Sequence, residues 1–495
     1  MLLTIIIALP LLGVLISALL PHRAESGAKW VALLVTGADF VLAAWQLVQR
    51  GITGTTGMQL ETSLSWIPQL SVHYHIGVDG LSLPLLVLST LLCFLAVLAS
   101  WKITVKPRFY FAMLCLLSLG LNGVFTALDL VLFYVFWEVV LVPMYFLISQ
   151  WGGERRQYAS IKFFLYTFFG SVFMLVAIVA LYLYTGSFDL TQLRDLIAQT
   201  AALKGAGIGS IQWWLFGAFF LGFAVKVPIW PLHTWLPDAH VEAPTAGSVL
   251  LAGIMLKMGT YGFLRISVPL LPQGFSGWQL ILGILAVISI VYGAVVAFAQ
   301  KDVKKLVAYS SVSHMGFAML GIAAGTAEGF NAAMAVNISH GLCTGMLFLL
   351  VGMVYERTHT RQIKDLSGIA AQMPVYAGIF CFASFASMGL PLLSGFVGEF
   401  LTMVGSWKSP ALPGIITVIA GLGILCGGAY MLWLMQRMIF GNPTPAVEGQ
   451  PDITLREILC VVPLAALVLV IGLSWNTLLQ FTDPFAAALV KILGA

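Results

Sequence analysis

Residues 223–262 read FAVKVPIWPLHTWLPDAHVEAPTAGSVLLAGIMLKMGTYG. An apolar run ends there at Lys226, and Pro228 and Pro231 follow at once. A second apolar run then carries Lys257. Proline breaks a helix, and such breaks occur at membrane depth only against protein or a water-filled cavity. This stretch therefore predicts a broken membrane helix followed by a second span, each with a lysine inside the membrane.

The composition of the whole chain is that of a polytopic membrane protein. Of its 495 residues, 60% are hydrophobic and only 9% are charged. A net charge of +4 is too small to indicate a nucleic-acid partner. The first apolar run, 2–20, has no basic start and no small-residue cleavage site. We therefore expect a retained first span and not a signal peptide.

Runs of about twenty apolar residues match the hydrocarbon thickness of a bilayer, and the chain contains about fourteen of them. We predict an all-α polytopic membrane protein with about 14 transmembrane helices in a single transmembrane domain, 1–495. Their approximate cores are 2–20, 29–48, 80–101, 109–127, 129–149, 159–184, 211–227, 244–266, 277–299, 303–323, 329–355, 375–405, 411–440 and 458–478.

The distribution of basic residues predicts the orientation of these spans. Loops that leave odd-numbered spans hold about sixteen of the 24 Lys and Arg residues. By the positive-inside rule, those loops face the cytoplasm. An even number of spans then places both termini on the non-cytoplasmic side. Lys304 and Lys305 lie in one of the basic loops, and we interpret them as positive-inside anchors.

Two of the predicted spans are discontinuous. The seventh ends at the prolines that follow Lys226, and the twelfth carries Gly389-Leu-Pro391 ahead of Glu399. Two broken helices five spans apart, each with a titratable group, predict two inverted five-helix repeats. The predicted repeats, and the linker with the last span, are 105–270, 275–440 and 441–495.

Three polar stretches are not predicted to cross the membrane. Residues 58–79 alternate with period two, which indicates a surface hairpin carrying His73 and His75 on its surface. Residues 188–203 place leucines on one helical face, as an interfacial helix does. Residues 441–452 are rich in Pro and Gly and indicate a linker.

Four charged residues lie inside apolar runs: Glu138, Lys226, Lys257 and Glu399. Each costs roughly 2.5 to 3.5 kcal/mol near the membrane centre, so four unpaired charges cost on the order of 10 kcal/mol. Mutual pairing is the usual compensation, and an ion or proton pathway is the usual function. The alternative for each is a structural ion pair or a packing contact with a neighbouring helix.

Four histidines are weaker candidates for proton transfer. His314 and His340 lie within predicted spans and titrate near neutral pH, which suits a relay or a hydrogen-bonded structural role. His233 and His240 lie in the polar segment after the first helix break. That pair could carry protons between half-sites or hold a loop in place.

Redox and nucleotide chemistry within this chain is not indicated. Six cysteines are scattered singly without a CxxC pair, so zinc or cluster ligation is not expected and no metal site is predicted. The sequence contains neither a GxxxxGK[ST] loop nor a strand-linked GxGxxG motif. We therefore expect no cofactor-binding residues in this chain.

Several stretches together resemble the antiporter-like membrane subunits of respiratory complex I, most of all the M-subunit (chain 4) branch. The most specific is KVPxxxxHxWLPDAHxEAPT, starting at Lys226. A glutamate at 399 and the absence of a long lateral helix favour the M branch. The other stretches are GVDGLSLPLLVLST (77–90), DLVLFYVFWEVVLVPMYFLISQWGG (129–153), IKFFLYTFFGS (161–171), VAYSSVSHMGFAMLG (307–321) and GLPLLSGFVGEF (389–400).

The resemblance implies an antiporter-like fold and a role for each candidate residue. Glu138 and Lys226 match the family's paired carboxylate and lysine. Lys257 matches its central lysine, His340 a relay residue and Glu399 the exit-side acid.

It also implies that the chain couples remote electron transfer, from NADH to quinone, to proton translocation. FMN and iron–sulfur clusters are expected in partner subunits, and quinone is the expected acceptor. Other complex I subunits, neighbouring antiporter-like subunits and the lipid bilayer are the expected partners, in a bacterial inner (plasma) membrane.

Four alternatives remain open at the level of sequence. The chain could belong to a multi-subunit sodium/proton antiporter or to a membrane-bound hydrogenase, which contain related subunits. It could be a non-pumping scaffold that joins pumping neighbours. It could also be a stand-alone channel or carrier, although no substrate pocket is indicated beyond the charged residues within the predicted spans.

Overall fold

A computed structural model describes residues 1–21, 24–49, 57–205 and 207–494. Within them, 12 helices are long and apolar enough to cross a membrane, or 13 if one bent helix pair forms a single span. These 12 coincide with twelve of the predicted fourteen spans. The other two are the spans that the sequence predicts to be broken, and breakage is the reason that each falls short of a full-length helix.

The amino-terminal elements are α1 (Leu2–Leu19), α2 (Gly27–Gln49), β1 (Gln59–Ile67), β2 (Val72–Val78) and α3 (Ser82–Ala99). The next are α4 (Pro107–Thr126), α5 (Leu130–Trp151), α6 (Arg156–Thr185), α7 (Leu190–Gln199), α8 (Ile211–Lys226), α9 (Trp235–Glu242) and α10 (Thr245–Leu270). The last are α11 (Pro272–Phe298), α12 (Val303–Ala324), α13 (Ala327–Thr358), α14 (Ile369–Gln372), α15 (Pro374–Ser387), α16 (Ser394–Trp407), α17 (Gly414–Met438), α18 (Leu455–Leu473) and α19 (Asn476–Leu493).

Helices α10, α12 and α13 form the centre of the molecule. Both α10 and α13 are buried along nearly their whole length, whereas α1, α2 and α6 leave large apolar side chains exposed. Exposed apolar surface of this extent is expected of helices that face lipid. Lys257 of α10 and His340 of α13 are therefore shielded by protein, at 0% and 4% exposure.

Aspartates fix the start of two spans that lie five spans apart. Asp129 Oδ1 accepts hydrogen bonds from the first backbone N–H groups of α5, and Asp302 Oδ1 does the same for α12. Side-chain caps of this kind satisfy N–H groups that a helix start leaves unpaired. A single β-bridge pairs Asp129 with Asp189, and another pairs Asp302 with Gln362.

Both predicted helix breaks are present. Helix α8 ends at Lys226, and a non-helical segment leads to the short helix α9 and then to α10. In the second break, α15 ends at Ser387 and α16 begins at Ser394. Gly389 has φ +75, and a Cβ at that position would lie 2.2 Å from Glu399 Oε2. Glycine is therefore required where the broken chain passes Glu399.

The predicted hairpin is confirmed, but the surface location of His75 is wrong. Strands β1 and β2 pair antiparallel, with Ser63 opposite His75. The His75 carbonyl accepts a hydrogen bond from Leu128 N at 2.8 Å, so β2 lies against the turn between α4 and α5. His75 is 4% exposed because that turn and the Asp189 segment cover it. Alternation within a strand cannot reveal a covering loop.

The predicted helix within 188–203 is confirmed as α7, which buries Leu193 and Ile197. The segment 441–452 contains no helix or strand, as a linker would. The prediction that only a linker and one span occupy 441–495 is incomplete, because α19 follows α18. Helix α19 buries one face and exposes the other, so it does not form an apolar run.

Candidate functional site

Glu138 and Lys226 lie on neighbouring helices without a direct bond. Lys226 is 1% exposed, and its Nζ has no hydrogen-bond partner among the residues that the structure describes. The ammonium nitrogen lies 5.5 Å from the Trp137 ring centroid and 5.7 Å from that of Phe163. Glu138 Oε1 is also buried without a partner. Unsatisfied buried groups are rare in proteins, so this pair calls for a functional explanation.

Helix α10 places Lys257 next to His340 of α13. Lys257 Nζ lies 2.6 Å from His340 Nδ1 and also donates a hydrogen bond to the Ala252 carbonyl. Residues Leu251–Met255 form a π-helical segment, a feature frequent at functional sites. Lys257 thus has a direct contact with His340 and a backbone acceptor within its own helix.

The contact series continues from His340 to Glu399. The rings of His340 and His314 lie 5.7 Å apart, and His314 Nδ1 lies 3.4 Å from Glu399 Oε1. His314 Nε2 lies 3.4 Å from Ser387 Oγ and 3.5 Å from Tyr430 Oη. A cavity of ≈ 20 Å³ lined by these histidines and Glu399 has room for one water. We call the series Lys257–His340–His314–Glu399 the relay.

The two lysine-bearing helices meet closely between Lys226 and Lys257. A Cβ on Gly259 would lie 2.7 Å from the Phe223 carbonyl and 3.0 Å from Val227 N. Gly259 lies two residues after Lys257, and Val227 lies one residue after Lys226. The absence of a side chain at Gly259 therefore allows α10 to approach the end of α8 near both lysines. Lys226, of the Glu138–Lys226 pair, and Lys257, of the relay, thus lie on two helices that approach each other closely.

The two histidines of the first break differ from His314. The ring of His240 stacks on Phe348 at 4.5 Å, and both of its nitrogens are buried without partners. His233 packs edge-on against Tyr292, at 5.1 Å, and its Nδ1 has no partner. Those nitrogens therefore make no hydrogen bond that would hold the loop in place. Among the described residues, neither ring forms a hydrogen bond or an ion pair with a member of the relay.

Lys304 is folded inward and does not extend into the solvent. It is 8% exposed, and its Nζ donates to the Ala243 carbonyl at 2.6 Å and, at 3.5 Å, to Val241. These carbonyls belong to the carboxyl end of α9, where a cation is favourable. With Glu242 and Arg361, Lys304 lines a cavity of ≈ 490 Å³ on the face of the odd-span exits. Sequence position alone cannot distinguish a loop lysine from one folded inward.

Further buried charged groups, which were not predicted from the sequence, include Asp39 and the Asp79–Arg265 pair. Asp39 on α2 is 0% exposed and accepts a hydrogen bond from Asn122 Nδ2 at 2.7 Å. Arg265 Nη2 lies 2.5 Å from Asp79 Oδ1. A charge within an apolar run is the signal that could have revealed Asp39 and Arg265, as it revealed the other four. Within the described residues, no group of three or more His, Cys, Asp or Glu could hold a metal ion.

Comparison with protein families then identifies the chain. Residues 127–424 match the family described as NADH:quinone oxidoreductase/Mrp antiporter, transmembrane. The chain belongs to this family. Residues 31–124 match a second family, described as NADH-ubiquinone oxidoreductase chain 4, amino terminus. The second match covers the part of the chain that precedes Glu138, so both families together account for most of the sequence.

Individual relatives agree with this assignment. NADH-quinone oxidoreductase subunit M of Rhodobacter capsulatus is 43% identical over 500 residues, which cover 99% of this chain and 96% of the relative. A chain of respiratory complex I from Thermus thermophilus matches with a TM-score of 0.89 at 33% identity, over 100% of both chains. The resemblance to the antiporter-like subunits of complex I, and to the M branch, is confirmed.

A more distant likeness concerns the fold alone. A chain of the Mrp complex from Dietzia matches with a TM-score of 0.84 at 23% identity, over 99% of this chain and 55% of that one. The antiporter-like fold expected from the sequence is therefore present.

Proposed function

We propose that this chain is the proton-translocating membrane-arm subunit of an NADH-quinone oxidoreductase. It couples remote electron transfer from NADH to quinone to proton movement and carries out no redox chemistry itself. The observation that carries the proposal is the relay, in which Lys257, His340, His314 and Glu399 follow one another inside the membrane. A scaffold would not require titratable groups at these buried positions.

The first step is a switch at Glu138 and Lys226. A proton moved against roughly 150 to 200 mV requires about 3.5 to 4.6 kcal/mol. Loss of one partner of a buried ion pair costs about 3 to 5 kcal/mol, so movement of Glu138 away from Lys226 changes the proton affinity of the lysine by a comparable amount. Both side chains have buried atoms without partners, which is consistent with a pair that forms and separates during turnover.

The relay then transfers the proton laterally. Lys257 Nζ gives a proton to His340 Nδ1, and His340 gives up the proton on its Nε2 toward His314. Nε2 of His340 is buried without a protein partner, and the small cavity beside it accommodates a bridging water. His314 receives the proton at Nε2, beside the Ser387 and Tyr430 hydroxyls, and releases one from Nδ1 to the Glu399 carboxylate.

The proposed route has a direction. The proton comes from the cytoplasm near Lys226, passes through the relay, and leaves at Glu399 on the other side. The excess of Lys and Arg at the exits of the odd-numbered spans supports this orientation, which places both termini on the non-cytoplasmic side. Partner subunits would hold FMN and the iron–sulfur clusters, in the bacterial inner membrane.

The same residues support two inverted repeats at 105–270 and 275–440. The aspartate caps of α5 and α12 and the helix breaks at Lys226 and ahead of Glu399 each recur after five spans. The two β-bridges recur with the same spacing. In this proposal, each repeat contributes one broken helix and part of the proton path.

The test is NADH-driven proton uptake by inverted membrane vesicles that contain the assembled complex, with Lys226→Ala compared with Lys305→Ala. Lys305 is a half-buried lysine at the start of α12, so its variant controls for loss of a positive charge. We expect uptake to be lost only with Lys226→Ala. Unchanged uptake would mean that the subunit is a scaffold or that the route avoids Lys226. No NADH-driven uptake by the parent would favour the antiporter or hydrogenase relatives.

A further inference from the structure

Helix α19 lies across the ends of the two helices that carry the central relay contact. It packs on α13 and also reaches the carboxyl end of α10. Its buried face comprises Leu478, Phe481, Thr482, Ala486 and Leu489. Among the described residues of α19, none belongs to the relay or to the Glu138–Lys226 pair. The proposed route therefore gives this helix no role.

Asn331, near the amino end of α13, makes a polar contact between α13 and α19. Its Nδ2 donates to Asp483 Oδ1 at 2.6 Å, and its Oδ1 accepts from Thr482 Oγ1 at 2.6 Å. Asn331 is 8% exposed and Thr482 is 1% exposed. Two adjacent residues of α19 thus hold both ends of one amide, which fixes the position and the rotation of the helix start.

The contact between α19 and α10 is made through Arg265. The guanidinium carbon of Arg265 lies 5.4 Å from the centroid of the Phe485 ring, and Arg265 also pairs with Asp79. Close packing reinforces this contact, because a Cβ on Gly80 would lie 2.0 Å from the Phe481 carbonyl. The aromatic face and the buried ion pair together hold the end of α10 against α19 and the start of α3.

We infer that α19 is a positioning element for the proton step between Lys257 and His340. Asn331 precedes His340 by nine residues, and Arg265 follows Lys257 by eight, so both anchors lie about 12 to 14 Å from that contact. Asn331 lies near the amino end of α13 and Arg265 near the carboxyl end of α10, and α19 contacts both, so displacement of α19 changes the separation of α10 and α13. This inference rests on the proposed function, because it assumes that the Lys257–His340 contact carries protons.

The sensitivity of proton transfer to distance makes this positioning consequential. A misplacement of about 1 Å can reduce a rate by about 10²-fold even when the altered residue is far from the reacting atoms. Lys257 Nζ and His340 Nδ1 lie 2.6 Å apart, so a shift of this size would break their hydrogen bond. Residues of α19 thereby act through Lys257 and His340 and touch no transferred proton themselves.

The test uses three variants in the assembled complex. Asn331→Asp removes the donor to Asp483 and places two carboxylates side by side. Asn331→Asp with Asp483→Asn restores a donor and keeps the total charge of the parent. Gln480→Ala, on the exposed face of α19, is the control. Two quantities are measured: hydrogen exchange of the α19 amides, and NADH-driven proton uptake per assembled complex.

We expect Asn331→Asp to raise amide exchange in α19 and to reduce proton uptake roughly ten-fold or more. The double variant should restore both quantities, and Gln480→Ala should change neither. Raised exchange with normal uptake would overturn the inference, and so would unchanged exchange in Asn331→Asp. Failure of the double variant to rescue uptake would also overturn it. If the parent takes up no protons with NADH, the proposed function fails, whereas exchange still reports whether Asn331 holds the helix.

Discussion

The series of buried titratable groups from Glu138 to Glu399, which we call the polar axis, has two halves that are built differently: the Glu138–Lys226 pair and the relay. In the first, Lys226 Nζ and Glu138 Oε1 are buried and lack hydrogen-bond partners, and aromatic rings surround the lysine. In the second, each group of the relay lies near the next, from the 2.6 Å contact of Lys257 onward. A group without a fixed partner can change its surroundings at little cost, whereas groups in contact can pass a proton. The first half is suited to switching and the second to conduction.

The difference also has an energetic side. A buried polar group without a partner costs about 1 to 3 kcal/mol, so the first half is held in an unfavourable state by the surrounding packing. The relay satisfies at least one atom of each member and does not carry this penalty to the same extent. Substitutions in the second half should therefore interrupt proton conduction. Substitutions in the first half should uncouple proton conduction from the energy source.

The largest effect is expected from Lys257→Ala, which removes the first proton donor of the relay. General acid–base groups contribute about 10²- to 10⁴-fold to rates, so NADH-driven proton uptake should fall by about 10²-fold or more. The measurement uses inverted vesicles with equal amounts of assembled complex. Uptake above half of the parent value would show that protons bypass the relay, and the contrast between the two halves would then lose its basis.

A smaller but severe loss is expected from Glu138→Gln. The amide keeps the shape of the side chain and removes the charge that acts on Lys226, so assembly should be normal. A loss of one charge interaction worth about 1.4 kcal/mol corresponds to a ten-fold lower rate, and we expect at least roughly that reduction in coupled turnover. Near-normal pumping by a fully assembled Glu138→Gln complex would exclude the switch.

A histidine inside the relay and one outside it provide a third comparison. His314→Gln removes a member of the relay, although water in the neighbouring cavity can partly replace it, so we expect about a three- to ten-fold loss of uptake. His233→Gln alters a more deeply buried ring that packs on Tyr292 outside the relay, and uptake should change little. Equal losses in the two variants would indicate that any buried histidine matters only for packing.

The sequence predicts which charged residues and helix breaks form the polar axis better than it predicts how they are arranged in space. Charges inside apolar runs reveal Glu138, Lys226, Lys257 and Glu399, because their cost in lipid makes them conspicuous. Prolines reveal the two helix breaks, because they remove a backbone donor. These signals are local and can be seen in single segments of the chain.

The relay itself depends on contacts that no local pattern contains. His314 and Glu399 meet although 85 positions separate them in the sequence, and the sequence could offer His314 only as one of several histidines. The inward fold of Lys304 and the burial of His75 likewise depend on distant segments. Helix α19 was not predicted because its half-polar surface does not form the long apolar run by which spans are recognised.

The smallest effect is expected outside the membrane, at a histidine with both ring nitrogens paired. His75 Nδ1 lies 3.1 Å from Asp189 Oδ2, and its Nε2 lies 2.7 Å from Glu61 Oε1. Asp129, which accepts a hydrogen bond from His73 N, is the other acid beside this strand. The hydrogen bond to Asp189 raises the pKa of His75 most, burial opposes it, and Glu61 adds to the increase.

Because its pKa is raised in the folded protein, protonated His75 stabilises the hairpin fully below its ordinary value near 6.5, and this contribution is lost as pH rises through the raised value. Amide exchange in β1 and β2 should therefore be faster at about pH 8.5 than at about pH 6, after correction for intrinsic exchange. His75→Gln should remove that pH dependence. A hairpin with the same pH dependence in the variant would assign the effect to another group. Since His75 lies outside the relay, proton uptake at neutral pH should be nearly unchanged in the variant, which separates a paired histidine that only stabilises from those that conduct.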